Sequence, residues 1–92
     1  MRQVADIEYA PQIHGFVISM PNRITLAALE DFGNRLLIVF GRMEKRKYNL
    51  LIDSNRHDFE SIACLKKLRD ILEEPQVAKK CERVAFCPAG AI

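Results

Sequence analysis

Tyr48-Asn49-Leu50-Leu51-Ile52-Asp53 is the stretch on which the fold turns. Its apolar centre is continuous, it is too short for a helix, and polar residues bound it. Such a run reads as a short strand buried on both faces, in the middle of a sheet covered by helices.

Upstream lies the clearest periodic element. Leu26, Leu29, Phe32, Leu36, Phe40 and Met43 recur at three- and four-residue steps, which predicts a helix with one apolar face. Thr25 is its expected N-cap. Glu30 and Asp31 fall in its first half and Lys45, Arg46 and Lys47 at its end, so both charge groups suit the helix dipole. Further upstream, Gln3 to Tyr9 reads as a weak strand and Ile13 to Met20, centred on Phe16-Val17-Ile18, as a better one. Ala10-Pro11-Gln12 forms the turn between them, because proline fixes φ and cannot donate to a ladder. The two are expected to pair as an antiparallel hairpin at one side of the sheet.

Downstream of Asp53 comes a polar stretch, Ser54-Asn55-Arg56-His57-Asp58. A second helix is expected from about Phe59 to Glu73, with Ile62, Leu65, Leu68 and Leu72 as its stripe and Lys66, Lys67, Arg69 and Asp70 facing away. Asp58 is its expected N-cap, and Pro75 stops the pattern. Gln76 to Cys81 adds a turn of helix at most. Arg83 to Cys87 reads as the last strand, and Pro88 to Ile92 as a tail. The order β-β-α-β-α-β predicts a single α/β domain over residues 1–92. Its sheet is mixed and partly parallel, with right-handed crossovers and helices packed on it.

Composition bounds the function. Ninety-two residues make one domain with a modest core. Fourteen basic against 12 acidic residues leave a net charge of +2, too weak to imply specific nucleic-acid binding. The basic clusters, Arg42 to Lys47 and Lys66-Lys67 with Arg69, fall late in expected helices and need no phosphate to explain them. The three cysteines, Cys64, Cys81 and Cys87, include no C-x-x-C pair, so neither a disulfide framework nor a zinc knuckle is indicated. No metal or cofactor is expected: there is no G-x-G-x-x-G and no P-loop. The residues from Met1 to Ala10 do not form a signal peptide, and the longest apolar run, Leu36 to Phe40, is too short to cross a bilayer. The protein is read as cytoplasmic.

Ligands of open α/β sheets bind at the carboxyl ends of the strands, which points to Asp53 through Ser61. The candidate binding or regulatory loop is therefore Asp53, Ser54, Arg56, His57, Asp58 and Ser61, at a helix N-terminus whose unpaired N–H groups attract anions. An acid–base pair of His57 with Asp53 or Asp58 would make the chain a small enzyme or ligand-binding subunit. The simpler reading is that Asp58 caps the helix and His57 is solvated. His14, at a strand start, is read as structural and Cys87 as an idle or buried thiol. Leu37, Ile38 and Val39 make the first helix apolar around most of its girth. Self-association as a homodimer, or a protein partner, is thus expected through Leu36, Leu37, Val39 and Phe40.

The order of elements, with Gly15-Phe-Val-Ile-Ser-Met, Arg23-Ile-Thr, Leu50-Leu-Ile-Asp53, Phe59-Glu-Ser-Ile-Ala-Cys-Leu65 and Arg83-Val-Ala-Phe, resembles the anti-sigma-factor-antagonist (STAS) domain family, especially its short divergent bacterial members. The resemblance covers roughly Gly15 to Cys87. It implies a non-enzymatic regulatory module acting through protein–protein or small-ligand interaction. In that family a strand ending in Asp leads to a helix whose start carries a phosphorylatable Ser or Thr, and Ser61 is the nearest match. The family's Asp-Ser-Ser-Gly signature is replaced here by Phe59-Glu60-Ser61-Ile62, without glycine.

Overall fold

A computed structural model describes residues 4–43, 46–53 and 58–87, with Asp58 and Cys87 described by backbone alone. The chain forms β1 (Asp6–Ala10), a 3-10 turn (Pro11–Ile13), β2 (Gly15–Ser19), β3 (Arg23–Ile24), α1 (Leu26–Arg42), β4 (Tyr48–Asp53), β5 (Asp58–Phe59), α2 (Ile62–Glu73), α3 (Pro75–Ala78) and β6 (Cys81–Cys87). The main sheet has the order β1-β2-β4-β6. β1 pairs antiparallel with β2, and β2, β4 and β6 run parallel. The expected mixed α/β sheet, with its hairpin at one side, is what the chain builds.

The hairpin is turned by Pro11, at the start of the 3-10 turn, and by His14, whose φ of 53° is left-handed. His14 is therefore a backbone hinge, and its carbonyl accepts from Asn49 N at 3.0 Å. β4 does not lie buried on both faces. Tyr48, Leu50 and Ile52 are in the core, while Asn49, Leu51 and Asp53 are half-buried. Phe16 and Ile18 of β2 face the same core, into which α1 sends Leu29, Phe32, Leu36 and Phe40. The helices thus cover one face of the sheet, and among the described residues no helix packs on the other. The continuous apolar run hid this alternation, because Leu51 is as apolar as its buried neighbours.

Thr25 caps α1 as expected, its Oγ1 accepting from Ala28 N at 3.1 Å. The C-terminal end differs. The helix stops at Arg42, the basic residue of its last turn, and Lys80 donates to the carbonyls of Phe40 and Met43. A cation from a distant turn thus adds to the charge that Arg42 supplies at the helix's own end. Arg46 lies 5.5 Å above the Tyr48 ring instead; Lys45 lies outside the described residues.

α2 differs from its expected form in two ways. It begins at Ile62 with Ser61 as N-cap, so Asp58 is not its cap. Asp58 and Phe59 form β5, parallel to Arg23 and Ile24. That extended pairing, with Glu60 N donating to Ile24 O at 2.9 Å, holds the backbone out of helical geometry until Ser61. Its buried face matches the expected stripe only at Leu68 and, partly, Leu72. Cys64, Leu68 and Ile71 point into the core, while Ile62 is 84% and Leu65 50% exposed. The rotation follows from α1, where Gly33 leaves room for Ile71 to pack directly on the helix backbone.

The first helix likewise uses its apolar residues internally. Leu36 and Phe40 are 0% and 1% exposed in the chain's own core. They are unavailable to a second chain, which corrects the expectation that they carry an interface. Leu37 and Val39 pack against the core edge.

Candidate functional site: the carboxyl rim of the parallel strands

β2, β4 and β6 end together, with Ser19, Asp53 and Cys87 in register across three strands. Side chains alternate along a strand, so Asp53 stands on the face opposite Ile52 and away from the helices. The rim is stitched by backbone: Met20 N donates to Asp53 O at 3.0 Å. Beyond the strand ends, β3 and β5 form a short parallel bridge. Ile24 on that bridge is fully buried and Phe59 packs against the core, so this end of the core is closed. Arg23 Nε lies 4.0 Å from Glu60 Oε2 on the outer side, where both side chains are about half exposed.

Of the residues expected here, Asp53 ends β4 half-buried and Ser61 is the exposed N-cap of α2. Asp58 lies at the backbone pairing with Arg23. Ser54, Asn55, Arg56 and His57 lie outside the described residues, as does the side chain of Cys87. Ser61 makes no side-chain cap to the helix; its hydroxyl lies 3.7 Å from Cys64 Sγ. Glu60 N is taken by Ile24 O and Cys64 N by Ser61 O. The start of α2 is thus partly satisfied by backbone, and the hydroxyl of the exposed residue Ser61 pairs inward with the buried Cys64 thiol. Ser19 and Arg23 join this rim and were missed as site residues. The carboxyl-end rule, applied to β2 as it was to β4, points to both.

A groove of about 370 Å³ lies elsewhere, on the helical side, lined among others by Gly33, Leu37, Lys67, Asp70, Glu74 and Val77. It is the junction of α1, α2 and α3 and includes no residue of the rim. Among the described residues, no cluster of three His, Cys, Asp or Glu side chains is placed to hold a metal ion. Of the cysteines, Cys64 is buried, and burial pushes the half-buried Cys81 thiol above its ordinary pKa, away from the nucleophilic thiolate. No described helix is long and apolar enough to cross a membrane.

Fold and rim together define a two-layer α/β domain with a mixed four-stranded sheet, its described helices on one face and its carboxyl end closed by the β3–β5 bridge. The chain matches no protein-family model, and no curated protein matches it significantly.

Proposed function

We propose that this chain is a non-enzymatic binding or regulatory module of STAS-like type, working in the bacterial cytoplasm, that docks a protein partner on the rim between Asp53 and Ser61. The observation that carries this reading is the closure of the strand ends. The bridge of β3 and β5 fills the place where an open α/β sheet would hold a small ligand, with Ile24 fully buried beneath it. What remains outward is a polar surface: Arg23 with Glu60, and the exposed residue Ser61 at the start of α2, beside the half-buried Asp53. Such a surface suits a macromolecule better than a substrate that must be enclosed. A phosphate on Ser61 would place about two negative charges at the helix N-terminus and alter docking there.

The test is partner capture from cell lysate with tagged wild type, Ser61→Asp and Asp53→Ala. The expected result is a specific partner held by wild type and lost, by at least about tenfold in affinity, from both variants. Equal capture by all three removes the rim from the function. A metabolite screen by thermal shift separates the competing enzyme reading. A ligand that stabilises wild type but not His57→Ala would favour chemistry at His57 with Asp53 or Asp58.

A further inference from the structure

The surface left over by the rotation of α2 lies on the opposite flank from α1. Lys67, Asp70, Ile71 and Glu74 face α1 and line the groove beside it. At about 3.6 residues per turn, Leu65 and Leu72 then fall on the flank away from that groove, the side toward which the right-handed crossover from β4 to β6 carries the chain. Leu72 is half-buried there and Leu65 half-exposed. On the helix-covered side of the sheet, Val84 and Phe86 of β6 remain 38% and 43% exposed. The apolar stripe of α2 is thus wider than the chain's own core uses, and the edge strand β6 likewise leaves apolar side chains uncovered. β6 has no strand on its outer side among the described residues. Its regular part, Arg83 to Cys87, carries no proline and one charge, so it is weakly guarded against edge pairing. β1, at the other edge, presents Asp6 and Glu8.

We propose that two copies of this chain pair edge to edge through β6, continuing the sheet across a two-fold axis, with the Leu65–Leu72 flank of each α2 closing over Val84 and Phe86. The occupant follows from the self-complementarity of the strand. A two-fold axis perpendicular to the sheet brings together residues that face the same way. The register shift at Tyr48/Asn49 leaves Glu82 unpaired with β4, and regular pairing begins at Arg83. Residues 83–87 are centred on Ala85. An axis there sets Val84 against the partner's Phe86 twice, on the helix side, and small Ala85 against its own copy. An axis at Arg83 would oppose like charges, and one at Val84 would set Glu82 against Phe86. Cross-strand pairing of an aromatic with a β-branched residue is favourable, and like charges directly opposite are not. The exposed side chains of Ile62, Leu65, Val84 and Phe86 offer an area on the order of 400 Å², about half of what a standard interface takes from each partner; the backbone and remaining side chains of the edge strand supply the rest. The inference does not rest on the function proposed for the Asp53–Ser61 rim.

Sedimentation and light scattering at about 100 µM should give twice the 10.5 kDa chain mass. Val84→Lys should weaken the dimer at least about tenfold with the circular dichroism spectrum unchanged, and Ile38→Glu, on the exposed side of α1, should leave it intact. Ala85→Cys, with Cys81 and Cys87 replaced by serine, should cross-link under mild oxidation, because directly opposite residues lie within disulfide reach. The cross-link decides the matter if Val84→Lys does not fold. A monomer at that concentration, a dimer that Ile38→Glu alone dissociates, a folded Val84→Lys dimer of undiminished affinity, or no Ala85→Cys cross-link overturns the proposal.

Discussion

Gly15 stands where β2 comes closest to the backbone of β4. A Cβ built on it would lie 1.8 Å from the carbonyl oxygen of Asn49. Asn49 cannot withdraw, since its N donates to His14 O and its Nδ2 to Ile13 O at 2.6 Å. We expect Gly15→Ala to cost about 2–3 kcal/mol, read as a lower urea midpoint at unchanged slope. Cys81 makes a second claim at this scale. Burial favours its neutral thiol, so the folded chain holds that proton more tightly than the unfolded chain. The stabilisation is complete below the ordinary thiol pKa and is lost as pH rises from there through the raised folded value. Urea unfolding between pH 7 and 10 should therefore show a decline for wild type that is shallower in Cys81→Ala. An identical slope in both would remove burial of this thiol as a cause.

At the scale of elements, α1 was legible because one face repeats cleanly and a threonine stands before it. Thr25→Ala removes the acceptor for Ala28 N and should destabilise the domain by about 1 kcal/mol in thermal or urea unfolding, with Thr25→Ser close to wild type. α2 was legible in kind but not in its facing. Ile62, Leu65, Leu68 and Leu72 form an apolar stripe, yet the core took Cys64, Leu68 and Ile71. Two overlapping apolar faces satisfy the same periodicity, and the contact of Ile71 with Gly33 selects between them. Asp58 had good capping chemistry but was drawn into pairing with Arg23, a contact 35 residues away that local propensity does not register.

For the molecule as a whole, one core joins helices and sheet through aromatic rings. Phe40 meets Phe16 at 5.7 Å and Tyr48 at 6.5 Å between ring centres. Phe40→Ala should therefore cost about 3–5 kcal/mol, a large share of what holds a domain this small. The loss should appear as a drop in Tm of at least about 12 °C. A small change in Tm accompanied by a change in oligomeric state would return Phe40 to the surface role that its sequence setting suggested. That no described helix packs on the other face of the sheet also belongs to this scale, since it follows from both crossover helices sharing one side.

The main elements, their rough order and the mixed sheet could be read locally, because periodicity, proline and capping residues act within a few positions of themselves, whereas the short strands β3 and β5 could not. The sequence by itself also located the strand-end rim at Asp53 and Ser61, since the carboxyl end of a strand can be read from where its apolar run stops. Which apolar residues lie inside is set by contacts between elements. Leu36 and Phe40 went to the core, Ile62 and Leu65 stayed out, and Ile24 with Phe59 closed the rim. Apolar character states that a side chain avoids water; it does not state which surface covers it, and that is settled by contacts between residues far apart in the chain.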